Sequence, residues 1–199
     1  MKPFEFTKEY VLENEIALLR PLKTTDAEHL LEFSIHEQDL WKFSLAQPTG
    51  EEKLISYIDT AINARKMGNE YPFIVFDKRT NRYAGCTRFY DIQPANSSLQ
   101  LGYTWYGKNF QGTGLNKHCK FLLLSFAFDE MGFERVEFRA DKNNERSIAA
   151  MKSIGCTVEG ILRSHGLRPD GLRRDSIILS ILKDEWEEKL RKELQAKLV

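Results

Sequence analysis

Apolar and polar positions along this chain switch between a period of two and a period near 3.6, and each switch marks an element. Ile16-Ala-Leu-Leu-Arg-Pro-Leu22 predicts an opening strand that Pro21 stops. Thr24-Thr25-Asp26 then supplies an N-cap for a helix from Asp26 to about Ser34, with Ala27, Leu30, Leu31 and Phe33 at helical spacing. The less regular stretch Glu37 to Pro48 carries Trp41 and Phe43, which read either as a lid over a pocket or as a hydrophobic clamp on the core. A second helix runs from Thr49-Gly50-Glu51-Glu52 to about Met67, with Leu54, Ile55, Ile58 and Ile62 on one face and Gly68 ending it.

Strands follow. Tyr71–Phe76, Tyr83–Ile92 and Leu99–Tyr106 lie at hairpin-like spacing and predict an antiparallel meander. The glycine turn Asn109-Phe-Gln-Gly-Thr-Gly-Leu-Asn116 leads into a helical run, Lys117 to Met131, which Gly132 closes. Arg135–Ala140 returns as a strand, so this unit calls for a parallel neighbour and a right-handed crossover. A short helix from Glu145 to Ile154 ends at Gly155, and strands near 157–165 and 173–182 flank the turn Pro169-Asp170-Gly171. The tail, Asp184 to Leu198, predicts a charged helix with Trp186, Leu190, Leu194 and Leu198 on one stripe. The order predicts an α+β fold: one domain over 1–199, with a mixed, mostly antiparallel sheet of about seven strands flanked by helices. A doubly wound dinucleotide fold would need regularly alternating strands and helices, which this order lacks.

Composition narrows the classes. Hydrophobic residues are 42% and charged residues 29% of the 199, which suits a packed globular domain. The net charge is +0, so nothing global attracts nucleic acid or an anionic membrane. No run approaches the roughly 18–20 apolar residues of a membrane span, and the acidic start MKPFEFTKEYVLENE does not read as a signal peptide. Cys86, Cys119 and Cys156 fit neither a disulfide framework nor a zinc pattern, and the four histidines lack ligand spacing; a reduced, cytoplasmic protein without a metal is expected. The chemistry therefore rests on the glycine turn. A strand–turn–helix junction aims free backbone N–H groups and the positive end of a helix dipole at one point, which suits a phosphate. No Gly-Lys-Ser or Gly-Lys-Thr closes it, which excludes a Walker loop, and the third glycine of a dinucleotide fingerprint is missing.

Gln111-Gly-Thr-Gly-Leu-Asn116 resembles the Gln/Arg-x-x-Gly-x-Gly/Ala signature of the Gcn5-related N-acetyltransferases. Asn144-Glu-Arg-Ser147 is similar to the Asn-x-x-Ser that opens that family's next helix. Ile154-Gly155, Glu159-Gly160-Ile-Leu-Arg163, Asp170-Gly171, Arg174-Asp175 and Glu185-Trp186 look like the branch of ribosomal-protein N-terminal (Rim-type) acetyltransferases. The resemblance implies acetyl-CoA as co-substrate and direct acetyl transfer to a primary amine, either a protein N-terminus or a small molecule. A CoA-binding module without turnover is the alternative. It further implies that the amides of Gln111, Gly112, Thr113, Gly114, Leu115 and Asn116 hold the pyrophosphate. The backbone of Thr104, Trp105 and Tyr106 would pair with the pantetheine arm like an added strand, in a sheet splayed to admit it. Asn144 would bond the pantetheine amide or, equally physically, cap the helix at Glu145.

Two departures concern proton transfer. Gln100 stands where relatives carry a glutamate able to take the amine's proton, and Met151 stands where many carry a tyrosine acid. Gln100 and Ser147 remain the catalytic candidates. Trp41, Arg88 and Tyr90 are the candidates for acceptor binding, with Arg163 and Arg168 as weaker ones. The terminal hairpin and charged tail leave a homodimer open.

Overall fold

A computed structural model describes residues 4–198. One eight-stranded sheet organises the chain: β1 (Leu12–Glu13), β2 (Ala17–Pro21), β3 (Glu70–Asp77), β4 (Arg82–Gln93), β5 (Ser98–Tyr106), β6 (Arg135–Asp141), β7 (Thr157–Leu167) and β8 (Arg173–Leu182). Their spatial order is β1-β2-β3-β4-β5-β6-β8-β7. Every neighbouring pair is antiparallel except β5 and β6, which are parallel. The eighth strand beyond the expected seven is β1, two residues too short to show a period of two.

Helices α1 (Ala27–His36) and α2 (Glu51–Lys66) pack on each other and on β3 and β4. Helix α3 (Leu115–Ser125) runs on as a π turn, Phe126–Glu130, that buries Phe126, Ala127 and Phe128 together. Adjacent residues of β4 tell the two faces apart, because side chains alternate along a strand. Arg88 lies over Tyr57 of α2, whereas Phe89 stacks on Phe126 of the α3 extension. The helices thus cover opposite faces of the sheet. On the α3 face Phe4, Tyr10, Tyr71, Phe73, Phe89 and Phe126 form a continuous aromatic core.

Asp26 differs from its expected role. Its carboxylate caps no helical amide; it accepts from the Lys23 N–H at 2.8 Å and pairs with Arg20 at 2.6 Å. A buried carboxylate gains more from a guanidinium than from an amide that water can reach. The tail is also not one regular helix. Between α5 (Lys183–Glu185) and α6 (Arg191–Gln195) lies a second π turn, Trp186–Leu190. Trp186, Leu190 and Leu194 repeat every four residues, a spacing that drifts around a helix of 3.6 per turn; the wide turn absorbs the drift and keeps all three buried.

Candidate active site

The site begins where β5 and β6 part. They pair only from Ser98↔Arg135 to Gln100↔Glu137, while β5 stays on β4 as far as Tyr106. Beyond Gln100 the edge of β5 that faces β6 has no sheet partner, so its backbone groups line an open slot. A bulge marks the parting: Tyr103 has φ +49°, and the register against β4 slips between Gly102 and Trp105. Trp105 and Tyr106 point their side chains into the core, so only their main chain faces the slot.

At the slot's end the chain turns through Lys108–Phe110 to Gly114, which caps α3 with φ +86°. Gly112 also has a positive φ, +75°, a conformation in which a side chain is strained. These two glycines leave the N–H groups of Gly112 to Asn116 without backbone acceptors among the described residues. Five convergent amides at a helix start fit a pyrophosphate. Leu115 is fully buried and offers only its amide. Gln111 departs from the expected cradle: its amide donates to the Lys108 carbonyl at 3.1 Å, and its side chain braces the turn, Nε2 donating to the Tyr106 carbonyl at 2.8 Å and Oε1 accepting from Arg146 on α4 (Glu145–Ser153). Arg79 is an unforeseen member. Held by Asp77, it donates to the Thr113 carbonyl at 2.9 Å and adds positive charge beside the amides. It comes from the β3–β4 turn, 34 residues away in sequence from the turn it supports.

Asn144 caps α4, accepting the Ser147 N–H at 3.1 Å. Ser147 is half-buried, and its hydroxyl bonds no protein group among the described residues. Beneath the slot Lys120 of α3 is buried, with Nζ 3.0 Å from Thr104 Oγ1 on β5 and 5.8 Å from the Phe138 ring on β6. Among the described residues no carboxylate pairs with it, and burial pushes its ammonium down to about 8. Its position was legible as a lysine on the stripe Leu123, Leu124, Ala127, but its role was not.

The acceptor candidates divide. Trp41 is 2% exposed and packs edge-on against Trp105 at 5.1 Å, so it is a clamp on the core and not a pocket wall. Arg88 is likewise committed: Glu70 takes it at 2.5 Å, and Tyr57 and Tyr103 flank its guanidinium. Buried charge is held by such a partner rather than offered to a ligand. Tyr90 meets Tyr103 edge-on at 5.1 Å on the α2 face, opposite Gln100 in the register. Arg163 and Arg168 lie on the exposed β7 side, where Arg168 pairs with Asp170.

Gln100 is 6% exposed and reaches sideways: its Nε2 donates to Asp91 Oδ2 at 2.6 Å, while its own Oε1 is buried with no partner. Asp91 has φ +45°, which turns its carboxylate out of the β4 pleat toward Gln100, and Gln93 Nε2 steadies the other oxygen at 2.8 Å. Neither Asp91 nor Arg174, the buried cation of β8, stood among the sequence candidates for these roles. Both are ordinary residues until the sheet brings them to one face.

An open strand edge that ends in a cradle of amides is the architecture of an acyl-CoA-dependent transferase, and the chain belongs to the acetyltransferase (GNAT) domain family, whose model matches residues 17–157. It is an acyltransferase of the N-acetyltransferase type, in a family that uses acetyl-CoA. Among curated relatives it is 29% identical over 182 residues to the "Putative ribosomal N-acetyltransferase YdaF" of Bacillus subtilis (strain 168), covering 87% of this chain and 95% of that one. A GCN5-related N-acetyltransferase from Brucella melitensis superposes with a TM-score of 0.89 at 25% identity, over 98% of this chain and 88% of that one. The fold is shared as well with the microcin C7 self-immunity acetyltransferase MccE, solved with acetyl-CoA and AMP, at a TM-score of 0.74 and 23% identity over 85% and 93% of the two chains. No helix among the described residues is long and apolar enough to cross a membrane.

Proposed function

We propose that this protein transfers the acetyl group of acetyl-CoA directly to a primary amine, a protein N-terminus or a small molecule. The carrying observation is the parting of β5 from β6 at Gln100, which leaves a strand-length edge free and ends it at five unpaired amides. When bound, acetyl-CoA supplies the thioester carbonyl that the amine attacks. The main chain of Thr104, Trp105 and Tyr106 pairs with the pantetheine arm, and the amides of Gly112 to Asn116, with Arg79 behind them, hold the pyrophosphate. The amide of Asn144 has its Nδ2 free to orient the arm while Oδ1 caps α4.

Transfer forms one N–C bond and breaks one C–S bond; the amine gives up a proton and the sulfur receives one. Gln100 cannot accept that proton as a base, but its unpaired Oε1 can receive an N–H of the amine and orient it. Asp91, fixed by Gln100 and Gln93, is the carboxylate that takes the proton, directly or through a water. Ser147 carries the hydroxyl nearest the start of α4 and returns a proton to sulfur; a thiolate with a pKa of about 8.5 needs no strong acid. Calorimetry with acetyl-CoA, followed by mass spectrometry of products from a mixture of peptides and metabolite amines, tests the reading. Saturable binding and acetylated amines are expected. Binding without acetylation across the panel supports a CoA-binding module instead, and no binding overturns both.

A further inference from the structure

Among the described residues three cations are buried: Arg88 pairs with Glu70, whereas Lys120 and Arg174 pair with no carboxylate. Arg174 is 8% exposed, its Nε is buried with no partner, and its Nη1 reaches only the Phe43 carbonyl at a long 3.4 Å. Asp141 is the nearest acid, and its Oδ1 is engaged by the Asn143 N–H at 2.9 Å. The side chain leaves β8 toward the loop after α1, where Nη1 meets the Phe43 carbonyl, and its charge is felt at Tyr90 of β4 and Tyr103 of β5. It therefore stands in the cleft between the two halves of the sheet, on the same face as Gln100. Next to it, Asp39, Lys42, Phe43, Asn143, Glu145 and Arg146 line a cleft of about 330 Å³ with charges of both signs.

A buried guanidinium without an ion pair is costly, and a ligand's anion would offset that cost. Burial lowers the basicity of Arg174 by more than the nearby Asp141 carboxylate raises it. Arg174 comes from β8, whereas the pyrophosphate cradle is built from the turn before α3. Resting on the acetyltransferase reading above, we propose that Arg174 is the anion-binding residue of the acceptor subsite. The amine that this protein acetylates carries a carboxylate that pairs with the Arg174 guanidinium, while its nitrogen lies toward Gln100 and Asp91. Tyr90 and Tyr103 meet edge-on on this face, and their hydroxyls, which bond no protein group among the described residues, can accept or donate to the same acid.

Matched acids and amides test this. Acetylation is measured for β-alanine against β-alaninamide, and for tetrapeptides beginning with Glu against those beginning with Gln, in the native protein and in Arg174→Gln. At least one acid is expected to exceed its amide tenfold or more in kcat/KM. Arg174→Gln should erase that gap by raising KM for the acid far more than for the amide, and a circular dichroism spectrum that matches the native protein shows that the variant is folded. The peptide and free amino acid arms report which kind of molecule bears the carboxylate. Independently of turnover, thermal unfolding is followed with N-acetyl-β-alanine, N-acetylglutamate and their amides. Acid-selective stabilisation that Arg174→Gln abolishes supports the proposal; equal effects of acids and amides in both assays overturn it. Acetyl-CoA calorimetry on the same samples separates the two readings. CoA binding without acid selectivity removes only the Arg174 subsite, and acid selectivity without CoA binding removes only the acetyltransferase reading.

Discussion

The donor side and the acceptor side of this site recognise their ligands by different means. From Thr104 to Asn116 nearly everything offered is main chain: an unpaired strand edge, then five amides freed by two glycines with positive φ. Such a surface depends on backbone shape, and one contiguous segment builds it. The acceptor face is made of side chains from β4, β5 and β8, held by residues on other elements: Asp91 by Gln100, Arg174 by the Phe43 carbonyl. Backbone recognition suits a ligand common to many relatives, because most substitutions leave it intact. Side-chain recognition suits the part of the reaction that differs between them.

The contrast can be broken most sharply at Asp91. Asp91→Asn keeps an oxygen for Gln100, and asparagine tolerates φ +45°, so the fold should hold. Loss of the base should lower kcat by about 10²-fold or more while acetyl-CoA affinity measured by calorimetry stays put. Gly114→Val is the mirror experiment. A β-branched residue at φ +86° shifts the start of α3. Losing one amide contact to a charged phosphate, about 1.5–3 kcal/mol, should weaken acetyl-CoA roughly 10- to 100-fold, with kcat at saturation little changed.

Lys120 lies between the two sides and sharpens the comparison through stability. A folded value of about 8 against the ordinary 10.5 costs about 3 kcal/mol at neutral pH. Lys120→Met should therefore gain about 2 kcal/mol in urea unfolding after its bond to Thr104, about 1 kcal/mol, is lost. The unfolded chain holds more protons between pH 8 and 10.5, so the native protein's deficit should shrink as pH rises through that window. The smallest effect belongs to a pair remote from both ligands. Arg135 and Ser180 hold Glu159 down to about 2, joining β6, β7 and β8. Its stabilising contribution is full above pH 4.5 and lost as pH falls toward 2. Since Glu159 is 38% exposed, water screens the pair, and Glu159→Gln should cost no more than about 1 kcal/mol at pH 7, with activity unchanged.

Legibility in the sequence followed the same divide. The element order, the mostly antiparallel sheet and the glycine turn could be read because each is written in neighbouring residues. β1 could not, being two residues long, and neither π turn is distinguishable from regular helix by periodicity at this length. Trp41 shows where local reading stops: an aromatic in an irregular loop is lid or clamp depending only on what lies beneath it, and Trp105 lies beneath it.

By itself the sequence determined the backbone devices, because φ at Gly112 and Gly114 and the apolar periods around them are local properties. Tertiary structure alone decided which charges remain unspent. Arg88 and Arg174 read alike along the chain, yet one pairs with Glu70 across a strand pair and the other leaves its Nε buried with no partner among the described residues. An ion pair is a matter of a few ångströms between residues far apart in sequence, and only the folded sheet sets that distance.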